Sequence, residues 1–154
     1  MQLKIYCAHP ITGLSGEEVI DYYTKIHKTL GDIGYHVFQP MTAKGFFRPE
    51  TKFKSCNYEN GNPVSTNRAI FGRDHWMVRN SDITLVDLTK SKNVSIGCCM
   101  ELAWAVDGGK HIIIVMEKDN IHRHAFTLEA ADIIFETLDE ALEYLRMFCS
   151  QEME

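Results

Sequence analysis

Two hydrophobic periods alternate along this chain. Compact apolar runs stand at Leu3–Ala8, Tyr35–Phe38, Asp82–Leu88, His111–Met116 and Asp132–Phe135, and each reads as a strand. The His111–Met116 run is unbroken and β-branched, which suits a central parallel strand covered on both faces. Between the runs the period lengthens. Val19, Tyr23, Ile26 and Leu30 recur at helical spacing up to about Gly31, and Ser15 with Glu18 three residues on forms a capping-box pattern at the start. Arg68 to Asn80 reads as a helix with Ser65, Thr66 or Asn67 as its cap, and Gly97 to Val106 as another, stopped by Gly108-Gly109. A short helix follows over Ala125–Ala131. The last has Thr137 and Glu140 as a second capping box and Ala141, Leu142, Leu145 and Phe148 as its apolar face. Strand and helix in alternation predict an α/β three-layer sandwich around a mostly parallel five-stranded sheet, flavodoxin- or Rossmann-like, as one domain over residues 1–150.

One stretch breaks the alternation. From about 41 to 66 no period is visible, Gly45, Pro49, Asn57, Asn60, Gly61, Asn62 and Pro63 are scattered through it, and Phe46, Phe47, Phe53 and Tyr58 are interleaved. Loops this long inside a compact domain serve as lids or binding loops, or are disordered inserts. The aromatic content favours a lid or binding loop.

Composition narrows the function classes. With 154 residues, 45% hydrophobic and 24% charged, the chain can bury a sizeable core and is not a disordered tail. A net charge of -5 lacks the electrostatic footprint of a nucleic-acid binder, while leaving room for a small charged ligand. No apolar run approaches the roughly 20 residues that span a bilayer, and MQLKIYCAHP turns polar too soon for a secretory signal. The five cysteines form no C-x-x-C pair and no zinc spacing with the histidines, so a reduced, cytoplasmic setting is expected.

In an open parallel sheet ligands bind beyond the carboxyl ends of the strands. His9 to Gly13, Thr89 to Gly97 and Asp119-Asn120 all fall there. Glu101 is the one acid early in an otherwise apolar helix. From pattern alone it reads more readily as an exposed, dipole-complementing glutamate than as a reactive group. Ser95-Ile96-Gly97 has the look of an N-cap with amides free for an anion. Asp74 reads as another dipole-complementing charge, and Asp82 as a cap or as a partner of Arg73 or Arg79. Cys98 stands where a helix N-terminus lowers a thiol pKa, although a structural cysteine is the commoner reading. There is no Walker lysine, no G-x-G-x-x-G and no convincing metal site; His122 and His124, two apart, suit a loop.

Taken together these segments resemble the nucleoside 2-deoxyribosyltransferase superfamily, which includes deoxynucleoside 5'-phosphate N-hydrolases. Lys4-Ile5-Tyr6 is similar to its first strand, Arg73-Asp74 with Asn80-Ser81-Asp82-Ile83 to its aspartate-bearing helix and next strand, and Ser95 to Leu102 to its nucleophile segment. Phage-type members look most similar, including Asp119-Asn120, His124-Ala125-Phe126 and the TLDEAL helix. The resemblance implies that Glu101 attacks the anomeric carbon and forms a glycosyl-enzyme ester. Asp74 contacts and protonates the departing base, and Tyr6 holds Glu101. No metal or organic cofactor is implied. The partners implied are a small nucleoside or nucleotide and a free nucleobase, with no nucleic-acid polymer and no membrane. Members are homodimers or larger, with a neighbouring subunit reaching into the site; Asn120 is the candidate for that reach.

The resemblance also bears on substrate. The residue six before the nucleophile is typically an aspartate in the transferases and a serine in the phosphohydrolases, and here it is Ser95. A phosphate dianion is repelled by an aspartate and accepted by a hydroxyl and helix-terminal amides, including that of Gly97. Yet the first loop, His9, Pro10, Ile11, Thr12 and Gly13, departs from the Ser-x-Arg-Gly-Gly type and lacks its arginine; His9, Thr12, Lys52, Lys54 or Arg68 are the groups available to compensate. Transfer of the deoxyribosyl group to a second base is the expected activity. Transfer to water from a 5'-monophosphate is the alternative, and a non-catalytic nucleotide sensor the second alternative.

Overall fold

The computed structural model describes residues 1–58 and 62–150. Five strands appear where the short apolar runs stand: β1 Lys4–Ala8, β2 His36–Phe38, β3 Ile83–Asp87, β4 His111–Val115 and β5 Ile133–Phe135. Every pairing is parallel and the order is β2-β1-β3-β4-β5. The expected mostly parallel sheet is therefore wholly parallel, in the flavodoxin-like order. The chain leaves β1 toward β2, then crosses to the other side at β3. That reversal opens a crevice at the carboxyl ends of β1 and β3, the place where this architecture binds ligands.

Among the described residues five helices cover the sheet: α1 Gly16–Ile33, α2 Asn67–Arg79, α3 Ile96–Asp107, α4 Ala125–Ala130 and α5 Leu138–Cys149. Both predicted capping boxes form, Ser15 with Glu18 and Thr137 with Glu140. Thr66 caps α2 and Ser95 caps α3. The period of two along β1 then sorts side chains between two cores. Ile5 and Cys7 pack with α1 and α5, through Val19, Tyr23, Leu30, Ala141 and Leu145. Tyr6 and Ala8 pack with α2 and α3, through Met77, Val78, Cys98, Leu102 and Ala105. Because both faces are covered, the strands read as unbroken apolar runs rather than alternating ones. Tyr6 is thereby committed to the side on which Glu101 stands.

The segment after β2 differs from the aperiodic loop expected of it. Its described residues include the 3₁₀ turns Gly45–Phe47 and Pro63–Ser65. Phe47 and Phe53 are buried in the α1 core instead of standing free over a site. Backbone bonds stitch the segment to the β1–α1 loop: Gly13 N donates to Phe53 O, Phe53 N to Leu14 O, and Gly16 N to Glu50 O at 2.7 Å. These contacts join residues about forty positions apart, so no local period announces them. Asn60 and Gly61, read as part of the same loop, lie outside the described residues. Asp82 does not pair with an arginine: its Oδ2 accepts from Lys4 N at 2.8 Å, and Arg79 pairs with Asp107. No helix among the described residues is long and apolar enough to cross a membrane.

Candidate active site

Two helical stripes make the site. Asn67, Ile70, Phe71 and Asp74 on α2, and Gly97, Met100, Glu101 and Trp104 on α3, line one cavity of about 310 Å³ together with Ser55 and Cys56. Each stripe is spaced i, i+3, i+4, i+7, so each is one face of its helix. The volume sits at the small end of the roughly 300–1,000 Å³ typical of ligand pockets. Its walls are largely apolar, and Phe71 meets Trp104 edge-on with ring centroids 5.1 Å apart. Flat apolar walls around a few polar groups suit a planar heterocycle.

Glu101 and Asp74 are the acids in that cavity, and both are buried. The reading of Glu101 as an exposed dipole glutamate therefore fails, as does that of Asp74. The Tyr6 hydroxyl donates to Glu101 Oε1 at 2.6 Å, a short, charge-assisted geometry. Burial pushes the Glu101 carboxyl up, the nearby Asp74 charge adds to that, and the Tyr6 hydrogen bond opposes it. Burial likewise raises Asp74, against the pull of Lys44 and Arg73. Two neighbouring buried carboxylates do not readily ionise together, so the pair retains a proton at pH values where ordinary carboxylates have none. Asp74 Oδ1 is buried with no hydrogen-bond partner among the described residues. A buried polar atom of that kind costs stability unless a ligand completes it. Burial and the adjacent Glu101 push the Cys98 thiol up despite its place at the α3 N-terminus, so it is an inert core residue there.

The other sequence candidates ring the carboxyl edge of the sheet without lining the cavity. Ser95 is half-buried; its Oγ accepts from Cys98 N, and its own amide donates to His122 Nε2 at 2.9 Å. His9 stacks on Tyr22, with Nδ1 at 2.9 Å from the Asp87 carbonyl. Pro10 is half-buried and Thr12 exposed. Gly13 has φ +91, a left-handed turn that favours glycine, and its amide is held by Phe53 O. Asn120 is buried and committed within its own chain: Nδ2 donates to Leu88 O and Glu117 Oε2, and Oδ1 accepts from His122 N. Among the described residues no group of three or more His, Cys, Asp or Glu is placed to hold a metal ion.

Residues 5–142 match the family model described as nucleoside 2-deoxyribosyltransferase. The chain belongs to that family. As a member it is an enzyme acting on N-glycosidic bonds of small nucleoside-type molecules, by glycosyl transfer or as an N-glycosidase. Similar solved structures include a 2-deoxyribosyltransferase from Bacillus psychrosaccharolyticus, 21% identical with a TM-score of 0.65 over 92% of this chain and 91% of that one. A 2-desoxiribosyltransferase from Leishmania mexicana is 16% identical, with a TM-score of 0.61 over 94% of this chain and 97% of that one. A Clostridium botulinum CMP N-glycosidase, BcmB, is 15% identical, with a TM-score of 0.58 over 94% and 98%. At these identities the likeness is one of fold. No curated protein sequence matches the chain.

Sequence reasoning passed over several residues that build this family member's site. The apolar walls, Ile70, Phe71, Met100 and Trp104, were legible in principle, because the α2 and α3 stripes share one spacing with an acid in each. His122 was set aside with the metal candidates. It accepts the Ser95 amide through Nε2, so Nδ1 carries the proton and donates to Asn120 Oδ1 at 3.0 Å. The β4–α4 loop thus grips the α3 cap, and burial lowers the histidine pKa and keeps it neutral. No sequence spacing signals such a bond.

Proposed function

We propose that this enzyme cleaves the N-glycosidic bond of a 2'-deoxynucleoside or its 5'-monophosphate through a covalent glycosyl-glutamate, and passes the deoxyribosyl group to another nucleobase. The observation that carries this reading is the pairing of Tyr6-bonded Glu101 with Asp74, whose buried Oδ1 has no hydrogen-bond partner among the described residues, in one apolar cavity. A Glu101 carboxylate oxygen bonds to the anomeric carbon as the C–N bond breaks, and the electron pair leaves on the base nitrogen. Asp74 delivers its proton to that base. Asp74, now ionised, takes the proton from an incoming base whose nitrogen attacks the same carbon and expels Glu101. Retention of configuration follows from two displacements.

Phe71, Met100 and Trp104 sandwich the base, and the His9–Gly13 loop with His9, Pro10, Thr12 and Gly13 receives the sugar. Ser95 and the first amides of α3, Gly97 included, take a 5'-phosphate where one is present. Ile96 and Phe126 are 75% and 82% exposed; apolar side chains so uncovered on neighbouring α3 and α4 support a homodimer or larger assembly, in which Asn120 orders the loop that meets the next copy. The cysteines at 7, 56, 98, 99 and 149 are all free, which fits the reducing cytoplasm.

The test is chromatographic. Incubation with deoxynucleosides and their 5'-monophosphates, with and without a second base, yields a new nucleoside if the enzyme transfers. Free base with free sugar phosphate instead marks an N-hydrolase. Tight binding without either product leaves a sensor.

A further inference from the structure

Two helices supply most of the cavity lining, and the segment after β2 supplies the rest through Ser55 and Cys56. Neither of these residues belongs to a helix or strand, so tertiary contacts must hold them in place. Phe53, two residues before Ser55, is bonded to the β1–α1 loop through both its amide and its carbonyl. Tyr58 packs edge-on against Phe47, with ring centroids 4.9 Å apart, and its hydroxyl donates to the Lys54 carbonyl. These contacts fasten the short loop 54–58 to the α1 core. A separate pair of bonds fastens it to α2. Asn57 N donates to Asn67 Oδ1 at 2.9 Å, and Asn67 Nδ2 donates to Asn57 Oδ1 at 2.8 Å. A backbone amide can only donate, so it fixes which end of the Asn67 amide faces it, and the second bond follows. Asn57 has φ +59, a left-handed conformation in which asparagine is enriched.

We propose that Asn57 is a positioning residue for the acceptor: paired with Asn67, it holds Ser55 and Cys56 against α2 so that the cavity retains a free nucleobase. The proposal rests on the function given above. The two fates of the glycosyl-enzyme make different demands on that part of the lining. In each, the ester bond to Glu101 breaks with its electron pair on the carboxylate, a new bond forms at the anomeric carbon, and Asp74 takes the proton. A base nitrogen attacks in transfer and a water oxygen in hydrolysis. Water is small and abundant and needs no enclosing edge. A base is dilute and must stay seated in the geometry of attack. Phe71 and Trp104 pack on each other between α2 and α3 and present their apolar surface whatever the segment does. The segment adds the closing edge. Asn57 adjoins Cys56 and bonds Asn67, and both of those line the cavity. Removing its side chain therefore loosens the edge and leaves the Tyr6–Glu101 bond and Asp74 as they are.

The informative variants are Asn57→Gly, which accepts the left-handed backbone and deletes the side-chain bond, and Asn57→Asp, which keeps an acceptor for Asn67 Nδ2. Binding of free adenine, hypoxanthine, cytosine and thymine to the resting protein is measured by calorimetry. Asn57→Gly is expected to weaken the base that wild type binds best by roughly two- to tenfold, the worth of one neutral hydrogen bond, and Asn57→Asp to restore most of it. During turnover of a deoxynucleoside at fixed acceptor concentration, the ratio of new nucleoside to free sugar falls by the same factor in Asn57→Gly. Both products come from one glycosyl-enzyme, so a general loss of folded protein leaves that ratio unchanged. Unchanged base affinity in Asn57→Gly, equal losses in both variants, or a wild type that binds none of the four bases overturns the proposal. Should wild type bind bases yet yield neither product, the proposed function fails, whereas the affinities still decide what the asparagine pair does.

Discussion

Tyr6 and Glu101 stand 95 positions apart in sequence, and the tyrosine hydroxyl donates to the glutamate Oε1 at 2.6 Å inside the protein. Tyr6→Phe removes that donor and little else, because the ring stays buried in the same core. A hydrogen bond to a charged group is worth about 1.5–3 kcal/mol, so kcat/KM for base release should fall roughly 10- to 100-fold. Steady-state kinetics check this, and a loss under about twofold removes Tyr6 from the site.

The same buried acid predicts a stability effect with a definite sign. Glu101 has an ordinary pKa of 4.5 and is raised in the fold, first by burial and then by Asp74. Between those two values the folded state binds more protons than the unfolded chain. Stability therefore falls as pH rises through that window and is flat above it. Glu101→Gln removes this loss while abolishing turnover. Its Tm should match wild type at about pH 4 and exceed it above neutrality, as scanning calorimetry across pH would show. A Tm gain that does not grow with pH would contradict the assignment.

Asp74 is proposed as the proton donor to the base, so the damage from Asp74→Asn should depend on the leaving group. Natural bases should be released roughly 100- to 10,000-fold more slowly, the range for losing a general acid. A base already carrying positive charge needs no proton and should be released at near wild-type rate. Comparing one natural and one N-methylated purine deoxynucleoside decides it; equal losses would place Asp74 in binding alone.

Gly16 opens α1 beneath the strap that follows β2. A Cβ built there falls 1.9 Å from the Phe47 carbonyl oxygen and 2.7 Å from that of Arg48. Backbone atoms cannot yield as a side-chain tip does, so Gly16→Ala must lift the strap or strain the helix start. We expect a loss of about 2 kcal/mol or more in urea denaturation, together with weakened substrate binding, since Ser55 and Cys56 of the strap line the cavity.

The architecture was legible because it rests on local periods and a few end signals. Five apolar runs gave five strands, and Ser15/Glu18 and Thr137/Glu140 gave two helix starts that the structure reproduces. Residues whose partners are distant were not legible in this way. Phe47 and Phe53 sit in a stretch that reads as a lid or binding loop, and their core lies across α1. The Asn120 amide is bonded to Leu88 and Glu117 of its own chain, a commitment that no spacing announces.

By itself the sequence determined the α/β layering, the mostly parallel sheet, and the presence of one acid early in α3. Those follow from period and capping, which are properties of neighbours along the chain. Only the tertiary structure decided that Glu101 is buried rather than exposed, that Tyr6 holds it, and that Asp74 shares its cavity. Packing α2 and α3 against the same sheet face brings those side chains together, and removing them from water turns ordinary charges into groups with raised pKa values. Desolvation is a property of what surrounds a residue in space, and no spacing along the chain records it.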